Sequence, residues 1–539
     1  MNLTSHVLQR LLHLPPPPTR DLTVTRDLRV PLRDGAVLLA DRWTPKSGGD
    51  GLPTALLRCP YGRTGMIATQ LARPLAERGF QVVVQSTRGT FGSGGDFDPL
   101  RREREDGLET LDWLLEQPWC GEGVVLYGGS YLGFTQWAVA DAVPPRVRAM
   151  IPSVSESAFT LEQLRTESFS LEAPFGWGVQ VAGNERPTPR WRQLLGMRGL
   201  RQALNTLPLS EADSAVLGHP SAYFQNVLAH DADAEFWQPV DHSHRVKDIT
   251  VPVSTVGGWY DIFLPGQLRD FRTLQEAGRE ARLTVGPWAH ISLGIGATAT
   301  VEAVDFALAH ARGERPQTRP PVRLFVMGEE KWRDFPSWPP PGYTPRRLHL
   351  HPSGTLSPTT PPPSPPDTYR YDPAADPTPA VGGVRMAMGV KSGRVDNTRL
   401  EARPDVLTYT IPVLDKDVEV VGEVSAEIFF RSDRPHADVF VRLCDVDEKG
   451  RSTNVCDGLT GLTSADTTAR AEVHLWPTAH RFKRGHRIRV QISSGAFPRY
   501  NRNPGTGEPR GTAVELRVAN QTVLHDPEHP SAIVLPVRE

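Results

Sequence analysis

Short apolar runs alternate with helix-length amphipathic patterns in the first part of the chain, up to residue 154. Runs of strand length lie at residues 54–58, 81–85, 123–127 and 147–151, and residues 28–43 have the pattern of an antiparallel pair around a turn. Strands this short and apolar are typical of a mostly parallel sheet that helices cover on both faces. The pattern predicts α/β architecture.

The pattern changes three times further along the chain. Residues 155–245 have helical stretches and no strand pattern, which predicts a helical cap inserted into the α/β domain. Residues 246–318 resume the alternation of strands and helices. Residues 319–539 contain short alternating runs, beginning at 322–327, between Gly, Pro and Asp turns, and they predict a C-terminal β-sandwich or jelly roll. The predicted cap helices lie at residues 158–168 and 191–204.

Length and charge limit the classes of protein to consider. A chain of 539 residues exceeds the roughly 250–300 residues at which one hydrophobic core stops growing, so several domains are expected. Its 60 Lys and Arg against 62 Asp and Glu give a formal net charge of −2, without a sustained run of one sign. A polyanionic partner such as nucleic acid is therefore not expected.

The cysteines and the N-terminus give expectations about metals and compartment. None of Cys59, Cys120, Cys444 and Cys456 forms a Cys-x-x-Cys pair, so neither structural zinc nor a disulfide framework is expected. A bond between Cys444 and Cys456 stays open. The chain has no signal-peptide pattern and no apolar run long enough to span a membrane. We expect a soluble cytoplasmic protein, and the sequence leaves its oligomeric state open.

The strongest local sign of chemistry is the segment 124–133, VVLYGGSYLG, in which an apolar strand runs into a glycine-flanked Ser130 and then a helix. A nucleophile elbow needs this order, because its strained turn lifts the serine oxygen above the sheet edge. The glycine usually found two residues after the serine is displaced by one, to Gly133. The alternative is an ordinary turn in which Ser130 caps the helix. The strand before the motif favours the catalytic interpretation.

A serine nucleophile needs a base and an orienting acid, which follow it in the order acid then histidine in this type of fold. Asp261 comes at the glycine-rich exit of one predicted strand, and His290 comes at the exit of the next. These positions predict a Ser130–His290–Asp261 triad. Other acids and histidines nearby precede the strand or lie within a helix: His242, His244, His310, Asp241 and Asp248.

Acyl transfer also needs donors for the developing oxyanion. The amide after the nucleophile, that of Tyr131, is one candidate. The loop 58–63 directly follows an earlier strand, and the phenol of Tyr61 in it is a second candidate. From spacing alone, a turn aromatic packed on its own loop is an equal interpretation of Tyr61.

With these residues in view, the chain resembles the CocE/NonD family, which contains cocaine esterase, α-amino-acid ester hydrolases, glutaryl acylases and Xaa-Pro dipeptidyl peptidases. In the first 318 residues the motifs that show this resemblance are RCPYGR at 58–63, RGTFGSGG at 88–95, GGSYLG at 128–133, GGWYDIF at 257–263 and GPWAH at 286–290. In the C-terminal part they are YDP at 371–373, GG at 382–383, RPDVL at 403–407 and FPRYNRNP at 497–504. Together these motifs are specific and cover nearly the whole length.

The resemblance implies an α/β-hydrolase fold with a helical cap and a C-terminal jelly-roll domain. It implies Ser130 as nucleophile with Asp261 and His290 as the relay, and Tyr61 hydroxyl with Tyr131 amide as the oxyanion hole. The displaced glycine is usual in this family. Residues 391–397 depart from the Gly-Pro-x-Asp-Gln often found there, which puts local interdomain contacts in doubt.

The expected activity is hydrolysis of a small ester, amide or short peptide through an acyl-enzyme, without a metal or organic cofactor. An acyl esterase of the cocaine esterase type is favoured over a Xaa-Pro dipeptidyl peptidase or an α-amino-acid ester hydrolase. One reason is that the hydrolase pattern begins at residue 22, which leaves no room for the helical N-terminal domain of long peptidases. A carbohydrate-binding jelly roll with a vestigial hydrolase domain is the non-enzyme alternative.

The substrate pocket is the least defined part of the site. Trp259 and Trp288, each close to a predicted triad residue, are predicted to line the acyl pocket. An enzyme for aminoacyl substrates also needs a carboxylate that binds the substrate ammonium. The cap offers six that the sequence does not rank: Glu156, Glu162, Glu167, Asp231, Asp233 and Glu235.

Overall fold

The computed structural model describes residues 3–158, 170–184, 199–200, 202–230, 235–386 and 390–538. Two sheets organise these residues, one of ten strands and one of eleven. The predicted cap helices at 158–168 and 191–204 lie mostly outside the described residues. In the part of the chain that the structure describes, no helix is long and apolar enough to cross a membrane.

The first sheet is mostly parallel. Its strands are β1 (Leu22–Pro31), β2 (Val37–Pro45), β3 (Thr54–Cys59), β4 (Gln81–Ser86), β5 (Val124–Gly129), β6 (Val147–Ser153), β7 (Val253–Tyr260), β8 (Ala281–Ala289), β9 (Val322–Val326) and β10 (Lys331–Phe335). Neighbouring strands follow the order β1-β2-β4-β3-β5-β6-β7-β8-β9-β10. Those from β4 to β9 along this order pair in parallel, and β1, β2 and β10 are antiparallel at the edges. The predicted α/β architecture is confirmed.

Helices connect and cover the strands. The α-helices are α1 (Leu3–Leu11), α2 (Gly65–Ala76), α3 (Glu103–Glu116), α4 (Tyr131–Trp137), α5 (Glu172–Asn184), α6 (Ala212–Leu217), α7 (Ala222–Ala229), α8 (Leu264–Glu276), α9 (Leu293–Glu302), α10 (Leu308–Ala311) and α11 (Thr398–Glu401). A π-helical stretch at Ala303–Ala307 joins α9 to α10, and 3₁₀ turns lie at Leu209–Glu211, Glu235–Val240, Ser243–Asp248 and Pro352–Gly354. Every residue of β3 and β4 is buried, as expected for strands with helices on both faces.

The run at 322–327, which was predicted to open the C-terminal β-domain, pairs with strands of the first sheet. It forms β9, which pairs in parallel with β8 and antiparallel with β10, so both strands belong to the first sheet. β9 alternates between buried and half-buried residues, as expected for a strand near the edge of the first sheet. That alternation has the period of a sandwich strand, and the pattern alone does not say which sheet the strand joins.

The second sheet contains the C-terminal strands. They are β11 (Thr344–His351), β12 (Thr355–Ser357), β13 (Asp367–Tyr371), β14 (Leu407–Thr410), β15 (Val418–Ser432), β16 (Ala437–Val446), β17 (Ser452–Leu462), β18 (Ala469–Phe482), β19 (Arg487–Ser493), β20 (Ala519–Leu524) and β21 (Ala532–Arg538). One large apolar core, with Ile428, Val441 and Val490 among its fully buried members, joins its layers. Cys444 and Cys456 are buried on the paired strands β16 and β17 and carry free thiols, which answers the question left open about them.

The two sheets meet along β18. Its backbone exchanges hydrogen bonds with Met327, which accepts from Arg481 N at 2.8 Å and donates to Ala479 O at 2.9 Å. Buried aromatic side chains fill the space beside these bonds, including Trp259 and Trp338, whose rings lie 6.2 Å apart. The first sheet and the C-terminal sheet are therefore joined by both backbone hydrogen bonds and apolar packing.

Candidate active site

Ser130 lies in a strained turn between β5 and α4. Its φ of 58° and ψ of −126° are rare for a residue with a side chain and are found where the surrounding structure enforces them. The enforcing bonds are Ser130 N to Ser153 O at 2.9 Å and Phe134 N to Ser130 O at 3.0 Å. The Ser130 hydroxyl makes no capping hydrogen bond to α4. The capping interpretation therefore fails, and the turn has the backbone of a nucleophile elbow.

The glycines around Ser130 let the strand and helix come together. At Gly128, where φ is +141°, an added Cβ atom would lie 2.5 Å from Leu132 Cβ. At Gly133 it would lie 2.5 Å from Ser155 Cβ, in the segment that follows β6. The glycine at position 133 thus has a local cause, because a side chain there would collide with Ser155.

His290 bridges the other two residues of the predicted triad. Its Nδ1 lies 2.6 Å from Asp261 Oδ2, and its Nε2 lies 3.0 Å from Ser130 Oγ. Asp261 is fully buried, and its Oδ1 accepts a hydrogen bond from Phe263 N at 2.9 Å. The aromatic ring of Phe263 packs edge-on against the imidazole, with centroids 5.4 Å apart. These contacts fix the imidazole between a buried carboxylate and a hydroxyl, which is the arrangement a general base needs.

Two donors lie beside Ser130. Burial raises the pKa of the Tyr61 phenol above its ordinary value, while hydrogen bonding with Trp177 and Ser130 opposes that rise. The phenol therefore keeps its proton and can donate it. The amide of Tyr131 begins α4, where backbone N–H groups have no partner within the helix. The Tyr131 side chain is anchored away from the site, because its hydroxyl donates to Glu103 at 2.6 Å.

Trp177 is a site residue that the sequence reasoning missed. It lies on the cap helix α5 and donates its indole N–H to the Tyr61 hydroxyl at 2.9 Å. Its ring also stacks on that of Tyr131, with centroids 5.9 Å apart. Because the indole occupies a lone pair of the phenol oxygen, the phenol proton is directed elsewhere. Trp177 follows no strand and has no motif around it, so nothing in the pattern identified it.

The two tryptophans predicted to line the acyl pocket have other contacts. Trp259 is 1% exposed and donates its indole N–H to Phe325 O at 2.8 Å, on β9. These contacts lie on β9 and do not support the predicted pocket role of Trp259. Trp288 covers Gly286 and packs 5.7 Å from the half-exposed Trp332. Trp288 also packs against the apolar core that contains Leu132 and Ile295, and its pocket role stays a prediction.

The cap carboxylates divide between buried and exposed positions. Glu156 is fully buried against Gly266 and lies 3.8 Å from the guanidinium of Arg269. Glu235 is exposed. The remaining candidates lie outside the described residues: Glu162, Glu167, Asp231 and Asp233. Among the residues that the structure describes, no group of three or more His, Cys, Asp and Glu side chains could hold a metal ion.

Comparison with known proteins gives the family. Residues 34–292 match the family model described as X-Pro dipeptidyl-peptidase (S15 family). Residues 315–534 match the X-Pro dipeptidyl-peptidase C-terminal non-catalytic domain. A cocaine esterase from Rhodococcus sp. (strain MB1 Bresler) is 34% identical, with 96% of this chain and 98% of the relative covered.

Two solved structures share the fold. An aminopeptidase from a marine sediment archaeon, Thaumarchaeota archaeon, superposes with a TM-score of 0.82 at 21% identity. An α-amino acid ester hydrolase does so with a TM-score of 0.82 at 22% identity. In both cases 96% of this chain and 97% of the other are covered. The fold is thus an α/β-hydrolase fold with a sheet-rich C-terminal domain. The matching family and the cocaine esterase relative define the class as serine hydrolases. Within that class the chain belongs to the CocE/NonD family, to which the resemblance had pointed.

Proposed function

We propose that the chain is an acyl esterase that cleaves small carboxylic esters through an acyl-enzyme on Ser130. The observation that carries the proposal is the position of His290, with one ring nitrogen 2.6 Å from Asp261 and the other 3.0 Å from Ser130. The 34% identity to a cocaine esterase over nearly the whole chain supports an ester as the substrate. The proposal keeps the predicted domain organisation. Residues 1–154 and 246–318 form the hydrolase domain, residues 155–245 form the cap, and residues 319–539 form the β-domain.

The proposed reaction has two halves. His290 takes the proton of Ser130 while its oxygen attacks the ester carbonyl, and Asp261 stabilises the imidazolium that forms. The carbonyl oxygen gains negative charge, which the Tyr61 hydroxyl and the Tyr131 amide stabilise. His290 then gives the proton to the leaving alcohol. In the second half water attacks the acyl-enzyme, with His290 again as the base, and Ser130 is regenerated as the acid departs.

Aminoacyl esters and Xaa-Pro amides are the alternative substrates, and the descriptions of the matching family models support the Xaa-Pro amides. Such substrates need a free carboxylate for their ammonium group. Glu156 is buried beside Arg269, and Glu172 at the start of α5 is held by Arg385 at 2.8 Å and 2.5 Å. Because these two carboxylates already have arginines beside them, they support an uncharged acyl group over an aminoacyl group.

The test is a substrate panel with Ser130→Ala beside it. We expect the wild-type chain to hydrolyse aryl esters with a higher kcat/KM than amino-acid methyl esters or Gly-Pro and Ala-Pro anilides. Ser130→Ala should fold normally, lose turnover and lose labelling by a fluorophosphonate probe. Residual activity within about tenfold of wild type would remove Ser130 from the nucleophile role. Faster cleavage of the anilides would instead favour the peptidase.

A matched control serine lies in the C-terminal domain. Ser364 Oγ lies 3.0 Å from His525 Nδ1, and His525 Nε2 lies 3.0 Å from Asp367 Oδ2. Ser364 also donates to His525 O at 3.2 Å and does not sit in an elbow, so it ties a proline-rich segment to the sheet. Ser364→Ala should keep both turnover and labelling. A loss of labelling in this variant would mean that Ser364 of the β-domain, and not Ser130, is the reactive serine.

A further inference from the structure

One side chain of the C-terminal sheet reaches the triad acid. Trp476, on β18, donates its indole N–H to the main-chain oxygen of Asp261 at 2.9 Å. The backbone N–H of Leu264 also points at this oxygen, but at 3.4 Å it is the weaker donor. Because Asp261 is fully buried, its carbonyl depends on these two donors for satisfaction. The indole therefore holds the peptide group that carries the triad carboxylate.

Trp476 is itself held by a buried charge network. The guanidinium of Arg499 lies over its ring, 5.1 Å from the centroid. Arg499 forms an ion pair with Asp457, which also accepts two hydrogen bonds from Arg442, at 3.1 Å and 3.0 Å. All three charged residues are at least 95% buried, so their side chains have little room to move. The indole is thus backed by a rigid part of the β-domain.

Arg499 also fixes the start of the cap. Its main-chain oxygen accepts hydrogen bonds from Leu171 N at 2.8 Å and from Glu172 N at 3.4 Å, where α5 begins. The same residue therefore contacts the element that carries Trp177 and the side chain that holds Asp261. The β-domain is in this way linked to both the donor side and the acid side of the site.

The indole also separates the acid from a cavity. A cavity of about 490 Å³ lies behind the acid loop, and its lining includes Ile262, Trp476 and Arg499. Asp261 is not part of that lining. A smaller side chain at position 476 would open the Asp261 peptide group toward this space.

We propose that Trp476 is a positioning residue of the triad, through which the C-terminal domain sets the place of Asp261 and hence of His290. This rests on the proposed function, because it assigns a role in the same reaction. It gives catalytic importance to a domain whose family description is non-catalytic. Its hydrogen bond to the triad is to the main chain of Asp261, and it acts through that residue.

The test is Trp476→Phe, which keeps an aromatic ring under Arg499 and removes the N–H donor. We expect kcat for an aryl ester to fall by about 10- to 100-fold, because a small displacement of the acid moves His290 away from Ser130. We expect KM to stay within about twofold, since ground-state binding is not touched. The far-downfield proton resonance of the His290–Asp261 hydrogen bond should shift or broaden.

The resonance separates this proposal from the proposed function. It reports the His290–Asp261 bond without any substrate, so it remains informative if the substrate class is wrong. A changed resonance in Trp476→Phe together with faster cleavage of Xaa-Pro anilides than of aryl esters would overturn the proposed ester substrate and keep the positioning role. An unchanged resonance with unchanged kcat would overturn the positioning role alone.

Two further variants complete the design. Trp43→Phe is the control for ring loss, because Trp43 is buried on β2 and its indole N–H has no hydrogen-bond partner among the described residues. It should leave kcat and the resonance as in wild type. Trp476→His keeps a ring N–H on a smaller side chain and should recover part of the kcat lost in Trp476→Phe. If neither variant at position 476 folds, Trp476 serves stability and the proposal is wrong.

Discussion

At the scale of single residues, the protonation of Tyr61 decides whether it can serve the reaction. Burial raises the pKa of the phenol, so the hydroxyl is protonated at neutral pH and donates rather than accepts toward the oxyanion. The bond from Trp177 at 2.9 Å uses a lone pair and leaves that proton available. Such a donor acts mainly when charge has developed on the carbonyl oxygen.

We therefore expect Tyr61→Phe to lower kcat by about 10²–10³-fold with a smaller effect on KM, in line with other oxyanion-hole deletions. The ring is kept, so the packing of the loop after β3 should be unaffected. Steady-state kinetics on an aryl ester measures the effect. Tyr127→Phe is a suitable control, because it also removes a buried phenol, one that contacts Thr300 at 3.3 Å. An unchanged kcat in Tyr61→Phe would leave the Tyr131 amide needing a different partner.

The site residues differ in how far the sequence could reveal them. Ser130, Asp261 and His290 follow strands in a fixed order, and parallel strands end at one edge of a sheet, so their meeting could be predicted. Trp177 and Trp476 reach the site from the cap and the β-domain, where no local pattern indicates which face of which element turns inward. The pocket prediction for Trp259 meets the same limit, because its indole contacts β9, and adjacency in the chain does not fix the direction of a side chain.

At the scale of elements, the turn between β5 and α4 holds the nucleophile. Gly128 has a φ of +141°, which only glycine adopts readily, and a Cβ atom there would lie 2.5 Å from Leu132 Cβ. Substitution at this position must move the first turn of α4 or the end of β5. Either movement displaces Ser130 from His290.

We expect Gly128→Ala to lower kcat by at least about tenfold, because small misplacements of reacting groups are costly. We also expect it to lower the free energy of unfolding by about 1–3 kcal/mol, through backbone strain and overpacking. Kinetics and urea denaturation measure the two effects. The control is Gly35→Ala in the turn between β1 and β2, where φ is +88° and nothing lies within 4 Å of the added Cβ. Equal losses of kcat in both variants would mean that the loss in Gly128→Ala does not come from a displacement of Ser130.

The elements themselves were predictable where periodicity and position agreed. The buried strands β3 to β6 were recognised from continuous apolar runs. β9 was recognised as a strand, but its pairing with the first sheet was not, because its half-buried alternation suits either sheet. The π-helical stretch at Ala303–Ala307 could not be predicted, because hydrophobic spacing does not report a local change of hydrogen-bond pattern.

At the scale of the whole molecule, the site depends on contacts between three parts of the chain. Glu172, at the start of the cap helix α5, forms a bidentate pair with Arg385 of the C-terminal part, and both side chains are at least 90% buried. Trp177 follows on the same helix. A change in this ion pair therefore acts both on the attachment of the cap and on the orientation of the Tyr61 donor.

We expect Arg385→Met to lower the free energy of unfolding by about 3–5 kcal/mol, because it leaves the Glu172 carboxylate buried without its partner. The double variant Glu172→Gln with Arg385→Met should lose less than the sum of the single variants, since removing both charges leaves none uncompensated. We also expect kcat to fall in Arg385→Met and to recover partly in the double variant, as α5 regains its place. Urea denaturation and kinetics on an aryl ester measure these effects.

Arg347→Met is the control, because its bidentate partner Glu427 lies in a more exposed pair, and surface pairs contribute about 1 kcal/mol or less. Additive losses in the double variant would mean that the pair does not couple the cap to the C-terminal part.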